Sequence, residues 1–164
     1  MPRTLLKTTA FAACLTLLSA CSSDSDDDDL SSGAPCGLVE IIAPAAIVNG
    51  VLAGNECTAD RTFPDPSAGD FSFVDEYSVT LTTAGTLTVT MRSTEIDPFL
   101  LLLSNADSCL NGCDTDIVIA TDNNSGGGTT AFISMDLAAG TYGIHANSIQ
   151  PASGSYSLET TFTP

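Results

Sequence analysis

Residues 77–91 read YSVTLTTAGTLTVTM, and this stretch decides the fold. Apolar side chains alternate with Ser or Thr on both sides of the Ala-Gly pair at residues 84 and 85. An alternation of period two, with hydroxyl side chains at every second position, is typical of a half-buried antiparallel strand. The pattern therefore predicts two strands, which we expect to be joined as a hairpin through the short turn Thr83-Ala84-Gly85.

The rest of the chain extends this pattern in both directions. Further strands are predicted at Ala46–Leu52 and at residues 99–103, 117–120, 131–137, 142–147 and 156–162. Residues 99–103 read FLLLL, which is too short for a helix and indicates a central strand covered on both faces. The expected fold class is all-β, an antiparallel β-sandwich of about eight strands with a jelly-roll-like topology.

Length and charge limit the classes of function. The 164 residues suffice for one domain, and 20 acids against four bases give a formal charge of −16. Arg3 and Lys7 lie in an apparent targeting segment, so the remaining chain would carry only two bases. A surface this acidic repels phosphate backbones, and we therefore expect no nucleic-acid partner.

The N-terminus has the features of an export signal. Two basic residues precede an apolar stretch at residues 8–18, which is too short to span a bilayer, so residues 1–20 are predicted to be a signal peptide. The segment Leu18-Ser19-Ala20-Cys21 resembles a bacterial lipobox, which predicts lipidation of Cys21 and a membrane anchor. Ser22 follows Cys21, and by resemblance to enterobacterial sorting rules this favours the outer membrane. The alternative is ordinary cleavage nearby, which would leave a soluble secreted protein.

A short acidic segment follows the predicted lipidation site. Five of the six residues at 24–29 are Asp, and their mutual repulsion opposes packing. Residues 21–35 are therefore predicted to be a disordered tether, and residues 36–164 the folded domain. The alternative role for the tether is a weak cation sponge.

Four cysteines would remain in the exported domain: Cys36, Cys57, Cys109 and Cys113. An even number of cysteines in an exported chain predicts two disulfides, and four cysteines allow three pairings. Local closure favours Cys36–Cys57 and Cys109–Cys113. A four-thiolate zinc site and a redox pair are the weaker alternatives, because the chain has no Cys-x-x-Cys.

Six short segments appear in an order that resembles the bacterial pre-peptidase C-terminal (PPC) domain. They are DEYSV at 75–79, AGTLTV at 84–89, DPFLLL at 97–102, IATDNNSGGG at 119–128, AGTY at 139–142 and GSYSL at 154–158. The resemblance spans roughly residues 47 to 162. It implies a small non-catalytic β-sandwich of a kind often appended to secreted peptidases, and some such domains resemble calcium-assisted collagen-binding modules. This chain departs from the appended pattern because it contains no peptidase domain.

The sequence lacks the motifs of common catalytic sites. It has no nucleophile elbow, no zinc-protease motif and no Lys after residue 7, so we predict that the protein is not an enzyme and needs no cofactor. The one histidine, His145, falls on the strand parity opposite Tyr142 and Ile144, and we expect it to face solvent. Calcium is the metal that would fit the oxygen-rich loops, with candidate ligands at Asp75, Asp97, Asp122 and Asn124. Asp and Asn are also good turn formers, which is the competing explanation.

Two hypotheses for function remain. The first is a binding module displayed at the cell envelope on a lipid anchor, with a polysaccharide or an envelope or matrix protein as its target. The second is a structural or accessory lipoprotein that acts through a membrane partner and has no soluble ligand. Phe63, Phe71 and Phe73, expected in a long loop before the strand at residue 77, would either bind the target or pack that loop onto the core.

Overall fold

A computed structural model describes residues 39–54, 57–58, 72–106 and 115–164. Ten strands lie in this part of the chain: β1 Val39–Ile42, β2 Ala46–Leu52, β3 Cys57–Thr58, β4 Phe73–Leu81, β5 Gly85–Arg92, β6 Pro98–Leu103, β7 Val118–Asp122, β8 Thr130–Leu137, β9 Gly140–Ser148 and β10 Gly154–Thr163. A 3-10 turn, Thr115–Ile117, precedes β7. The predicted signal peptide, the tether, Cys21, Cys36, Cys109, Cys113, Phe63 and Phe71 lie outside the described residues. No helix within the described ranges is long and apolar enough to cross a membrane.

The strands form two sheets. Sheet A has the order β1-β4-β9-β6-β7, with β3 paired to β4, and sheet B has the order β2-β10-β5-β8. When β1 and β3 are set aside, the remaining eight strands have the order of a jelly roll. The prediction of an all-β sandwich with about eight main strands is therefore confirmed.

Two details differ from the sequence-based expectation. The short strands β1 and β3 were not predicted, and β1 pairs with β4 in parallel rather than antiparallel. The expected hairpin at Thr83-Ala84-Gly85 was wrong, because β4 belongs to sheet A and β5 to sheet B. The turn therefore carries the chain from one sheet to the other. β4 pairs with the distant β9, and β5 with β8 and β10, so pairing far along the chain overrides the local hairpin signal.

The core lies between the apolar faces of the two sheets. Alternate residues of β4 and β5 point into it, as the period-two pattern predicts. The fully buried side chains of these and the neighbouring strands include Leu52, Val79, Leu81, Leu87, Val89, Met91, Leu100, Leu102, Ile144 and Leu158.

The outer face of sheet A is also covered, and this corrects the prediction for His145. His145 is only 3% exposed, and its Nε2 lies 3.6 Å from Oε1 of the buried Glu76 on β4. Part of the cover comes from the residues after β6, because a Cβ added at Gly143 would lie 2.7 Å from the main-chain oxygen of Asn105. Burial lowers the pKa of His145 to about 4, so the imidazole is neutral at pH 7. Strand parity correctly placed His145 on the outer face, but that face is not open to solvent.

Candidate functional site: a polar groove on sheet B

The outer face of sheet B is lined by Ser and Thr at the positions that the alternation predicts. One row of this face crosses all four strands, with Asn49 beside Ser157, Ser157 beside Arg92, and Arg92 beside Thr130. Such neighbours on adjacent strands have Cβ atoms about 5 Å apart, so their side chains form one continuous polar surface.

Arg92 supplies the positive charge of this surface. It is the only Lys or Arg in the part of the chain that the structure describes. Its Nη1 donates to Oε2 of Glu159, the diagonal neighbour on β10, over 3.0 Å. Both side chains are substantially exposed, and an exposed ion pair contributes less than about 1 kcal/mol to stability. The guanidinium has five N–H donors in all, and the contact with Glu159 uses one of them.

A hydrogen-bonded turn closes one end of the surface. Ser93 Oγ donates to the main-chain oxygen of Ser155 over 2.7 Å and accepts from the N–H groups of Glu95 and Ile96. Glu95 Oε2 in turn accepts from the N–H of Ser155 over 2.7 Å. The two segments approach so closely that a Cβ at Gly154 would lie 2.8 Å from both Glu95 and Ile96. The end of the groove is therefore held in place before any ligand binds.

Together these elements form an open groove of about 500 Å³. Its lining residues are Asn49, Arg92, Ser93, Thr94, Thr130, Ser155, Tyr156 and Ser157. They present hydroxyl, amide and guanidinium groups, with the Glu159 carboxylate beside them. This mixture of donors and acceptors matches a ligand rich in hydroxyl or amide groups.

A hydrogen-bond chain, buried at Tyr77 and partly buried at Asp75, joins the two sheets on the inner side of β10. Tyr77 Oη lies 2.5 Å from Tyr156 Oη, and Tyr156 donates to Oδ2 of Asp75 over 2.5 Å. Burial raises the pKa of the Asp75 carboxyl; the Tyr156 hydrogen bond partly opposes this effect, and the nearby Glu40 charge adds to it. The pKa of Tyr156 is also raised, mainly by burial and further by its neighbours Asp75 and Tyr77, so its hydroxyl stays protonated. A second cavity of about 270 Å³, lined in part by Glu40, Gly50 and Asp75, opens beside this chain.

The structure does not gather the calcium candidates into one cluster. Asp75 accepts from Tyr156, and the main-chain oxygen of Asp97 accepts from Ile149. Asp122 Oδ2 accepts from the N–H groups of Ser125 and Phe132, and the main-chain oxygen of Asn124 accepts from Gly127 in the same loop. Within the described ranges, no group of three or more His, Cys, Asp or Glu is placed to hold a metal ion. Calcium binding stays a prediction that these contacts do not support.

The hydrogen bonds to Asp122 also affect its ionisation. Desolvation raises the pKa of this carboxyl, but the hydrogen bonds from Phe132 and Ser125 outweigh it, so the pKa lies below its ordinary value. The carboxylate therefore serves to close the loop between β7 and β8.

Two other candidates from the sequence fall in described strands. Cys57 is a buried residue of β3 and is disulfide-bonded, while the pairing of the four cysteines stays a prediction. Phe73 belongs to β4 rather than to a loop, and its ring packs against the core. For Phe73, the packing role is therefore the correct one of the two that the sequence left open.

Sequence reasoning did not single out the Arg92 groove. The available signal was the position of Arg92, which ends a strand otherwise lined with Thr on its outer face. Asn49, Ser157 and Thr130 lie far from Arg92 in sequence, so only the strand pairing brings them together.

The strand order and the two-sheet packing define a β-sandwich with the fold of the pre-peptidase C-terminal domain, which confirms the resemblance at the level of fold. Among solved structures, the chain is similar to the pre-peptidase C-terminal domain of collagenase from Bacillus anthracis, with 14% identity and a TM-score of 0.54 over 75% of this chain and 94% of that one. No protein-family model and no curated protein sequence matches the chain.

Two periplasmic inhibitors of g-type lysozyme are more distant structural matches. PliG from Aeromonas hydrophila has 13% identity and a TM-score of 0.47 over 76% of this chain and 97% of that one. PliG from Salmonella Typhimurium has 10% identity and a TM-score of 0.41 over 76% and 98% of the two chains.

Proposed function

We propose that this protein is a non-catalytic binding module of the bacterial cell envelope, with a polysaccharide or a protein as its target. The observation that carries the proposal is the preformed polar groove around Arg92 on the outer face of sheet B. The pre-peptidase C-terminal fold supports the same class of function, because the resemblance implies a non-catalytic module.

The chemistry of the groove favours neutral or weakly charged ligands. Glu159 partly compensates the charge of Arg92, and the chain as a whole carries a formal charge of −16. A polyanion would be repelled by this field, whereas sugar hydroxyls and peptide amides would find donors and acceptors in the row from Asn49 to Thr130.

Lipidation at Cys21 would hold the module at a membrane, and residues 21–35 would separate it from the lipid surface. By this proposal the protein is exported and anchored, with the outer membrane as its location. Metabolic labelling with an alkyne analogue of palmitate tests the anchor. The wild-type chain should take up the label and Cys21→Ala should not. Equal labelling of the two chains would contradict lipidation at this residue.

Retention assays test the binding function. Full-length protein, solubilised in detergent with its disulfides intact, is applied to insoluble polysaccharides, collagen and fractionated cell envelope. We expect saturable retention on one material. Arg92→Gln should weaken the retention at least about tenfold, because it removes a charged donor from the groove.

Thr88→Ala is the matched control for Arg92→Gln. Thr88 lies on the same outer face of sheet B but outside the groove, beside Ser134 of β8. Equal retention of the Arg92→Gln and wild-type chains would show that the groove is not the binding site. Retention on none of the materials, from a chain that unfolds cooperatively, would favour the accessory lipoprotein that acts through a membrane partner.

A further inference from the structure

β2 forms one edge of sheet B. Among the described residues, β2 pairs only with β10, so its other side carries no strand. Its outer face exposes two β-branched side chains, with Ile47 70% exposed and Val51 55% exposed. Unpaired main-chain groups on an edge of this kind form a template for another strand.

β2 also lacks the charged side chain found in β1, β7 and β8, the other edge strands of more than two residues. It reads AIVNGVL, without a charged residue, in a chain of formal charge −16. By contrast, the edge strand β1 contains Glu40, β7 contains Asp122 and β8 contains Asp136. Charged side chains are a common means of preventing edge-to-edge pairing, so their absence from β2 alone among these four edges distinguishes it.

The sequence of β2 is complementary to itself when it runs antiparallel. If two copies pair with Asn49 opposite Asn49, then Ile47 lies opposite Val51 of the second copy, and Val51 opposite Ile47. These pairs would place exposed β-branched side chains together on one face, which stabilises neighbouring strands. The central amides can donate to and accept from each other. A shift of two residues in either direction would break the apolar pairs and shorten the ladder.

We propose that β2 is a homodimer interface, in which two copies of this chain pair antiparallel about Asn49 and join their four-stranded sheets. Within sheet B, charge does not oppose this register, although Glu40 and Asp75 of sheet A line a cavity together with Asn49. Glu159 is the acidic neighbour of Ile47 on β10. In the paired form, Glu159 and its counterpart would be three strand spacings and four residues apart, about 20 Å. This separation exceeds the Debye length of about 8 Å at physiological salt, so the repulsion between them is largely screened.

The dimer would bring two Arg92 grooves onto one continuous face. Five strand spacings would separate the two arginines, which is about 24 Å. For a repetitive ligand such as a polysaccharide, two sites on one face raise the apparent affinity. This consequence rests on the proposed function, whereas the pairing itself does not.

Cysteine cross-linking of the full chain in isolated envelope membranes tests the interface. In the proposed register, two copies of Asn49→Cys have Cα atoms about 5 Å apart, within the range of a disulfide. Mild oxidation should therefore yield a disulfide-linked dimer on a non-reducing gel, at least about fivefold more abundant than for Thr88→Cys. Thr88 lies on the same outer face but two strands from the edge, so it is the matched control. The unsubstituted chain corrects for its native cysteines.

Each outcome decides the proposal. Dimer formed by Asn49→Cys and suppressed by the added substitution Val51→Lys would support register-specific pairing. No dimer from Asn49→Cys, although its thiol reacts with maleimide, would overturn it. Equal cross-linking of Asn49→Cys and Thr88→Cys would indicate random encounters and also overturn it. Adducts of Asn49→Cys with other proteins, without the homodimer, would assign the edge to a different partner. The retention of Arg92→Gln is measured separately, so either proposal can fail alone.

Discussion

Tyr156 of β10 reaches across the sandwich and donates a hydrogen bond to Asp75 of β4 over 2.5 Å, which links sheet B to sheet A through a partly buried polar contact. Tyr77 lies 2.5 Å from the same hydroxyl and extends the contact to a third residue. Because a buried polar group without a partner is costly, this chain of three side chains favours one alignment of the two sheets.

Replacement of the bridging hydroxyl tests its contribution. Tyr156→Phe should lower the free energy of unfolding by about 1–3 kcal/mol, because the largely buried Asp75 carboxyl would lose its donor. Urea denaturation measures the loss. Tyr142→Phe is the control, since Tyr142 donates to the main-chain oxygen of Ala138 at the exposed surface and its loss should cost less than about 1 kcal/mol. Equal losses in the two variants would contradict a special role for the buried bridge.

The raised pKa of Asp75 predicts a pH-dependent difference between Asp75→Asn and the wild type. A carboxyl with a higher pKa in the folded state stabilises the fold at a pH below its unfolded pKa. That contribution is lost as the pH rises through the folded pKa. Asn stays neutral and still accepts from Tyr156. The stability of Asp75→Asn relative to wild type should therefore increase from about pH 3 to pH 7, as measured by urea denaturation across this range. A difference that is constant with pH would contradict the raised pKa.

The ring of Tyr156 packs directly over Gly50 of β2. A Cβ at Gly50 would overlap this ring, so Gly50→Ala should lower the free energy of unfolding by about 1–3 kcal/mol. Gly54→Ala provides the comparison, because its Cβ would meet only the ring of Phe73 at an ordinary 3.6 Å. The expected order is a larger fall in Tm for Gly50→Ala than for Gly54→Ala. The reverse order would show that the ring moves aside at little cost.

Alanine variants of Phe73 and Phe132 compare a side chain that packs against the core with one that lies at the surface. Phe73→Ala should cost about 2–4 kcal/mol, because Phe73 packs against the core. Phe132 is 38% exposed on the outer face of sheet B, so Phe132→Ala should cost less, about 1 kcal/mol. Thermal unfolding of both variants measures the difference. A stable Phe73→Ala with weakened target retention would instead assign Phe73 to binding.

Asp122 allows the structural and calcium roles of the loop to be distinguished. Asp122→Ala removes the acceptor for the N–H groups of Ser125 and Phe132 and should lower stability by about 1 kcal/mol. On the loop-closing account, this loss is the same in millimolar Ca²⁺ and in excess chelator. If instead Ca²⁺ raises the Tm of the wild type and Asp122→Ala abolishes the increase, Asp122 is a calcium ligand.

The periodicity of the sequence predicted most of the strands. β2 has the predicted bounds, β7 begins one residue later than predicted because Ile117 belongs to the 3-10 turn, and the other main strands extend their predicted segments at one or both ends by up to four residues. This succeeded because alternation reports a local property, namely which side chains share the buried face of a strand. The two-residue strand β3 is too short to show such a pattern. The resemblance to the pre-peptidase C-terminal domain depended on the order of the six short segments rather than on any one of them.

The candidate site could not be predicted in the same way. Arg92 is conspicuous in the sequence as one of few bases, but its groove depends on Asn49 and Ser157 on strands that are distant along the chain. The prediction for His145 failed for the same reason. The alternation correctly placed its side chain on the outer face of sheet A, but residues after β6 partly cover that face, which the strand pattern does not show.

The sequence by itself determined the all-β class, the position of the main strands and their apolar faces, and the strongly acidic character of the chain. These properties follow from side-chain type and from a period of two residues. Only the tertiary structure decided that the turn at Thr83-Ala84-Gly85 joins two sheets, that His145 is buried, and that Tyr156 meets Asp75. The physical reason is that each of these depends on which strands pair and which surfaces pack, and a single strand pattern is compatible with several partners.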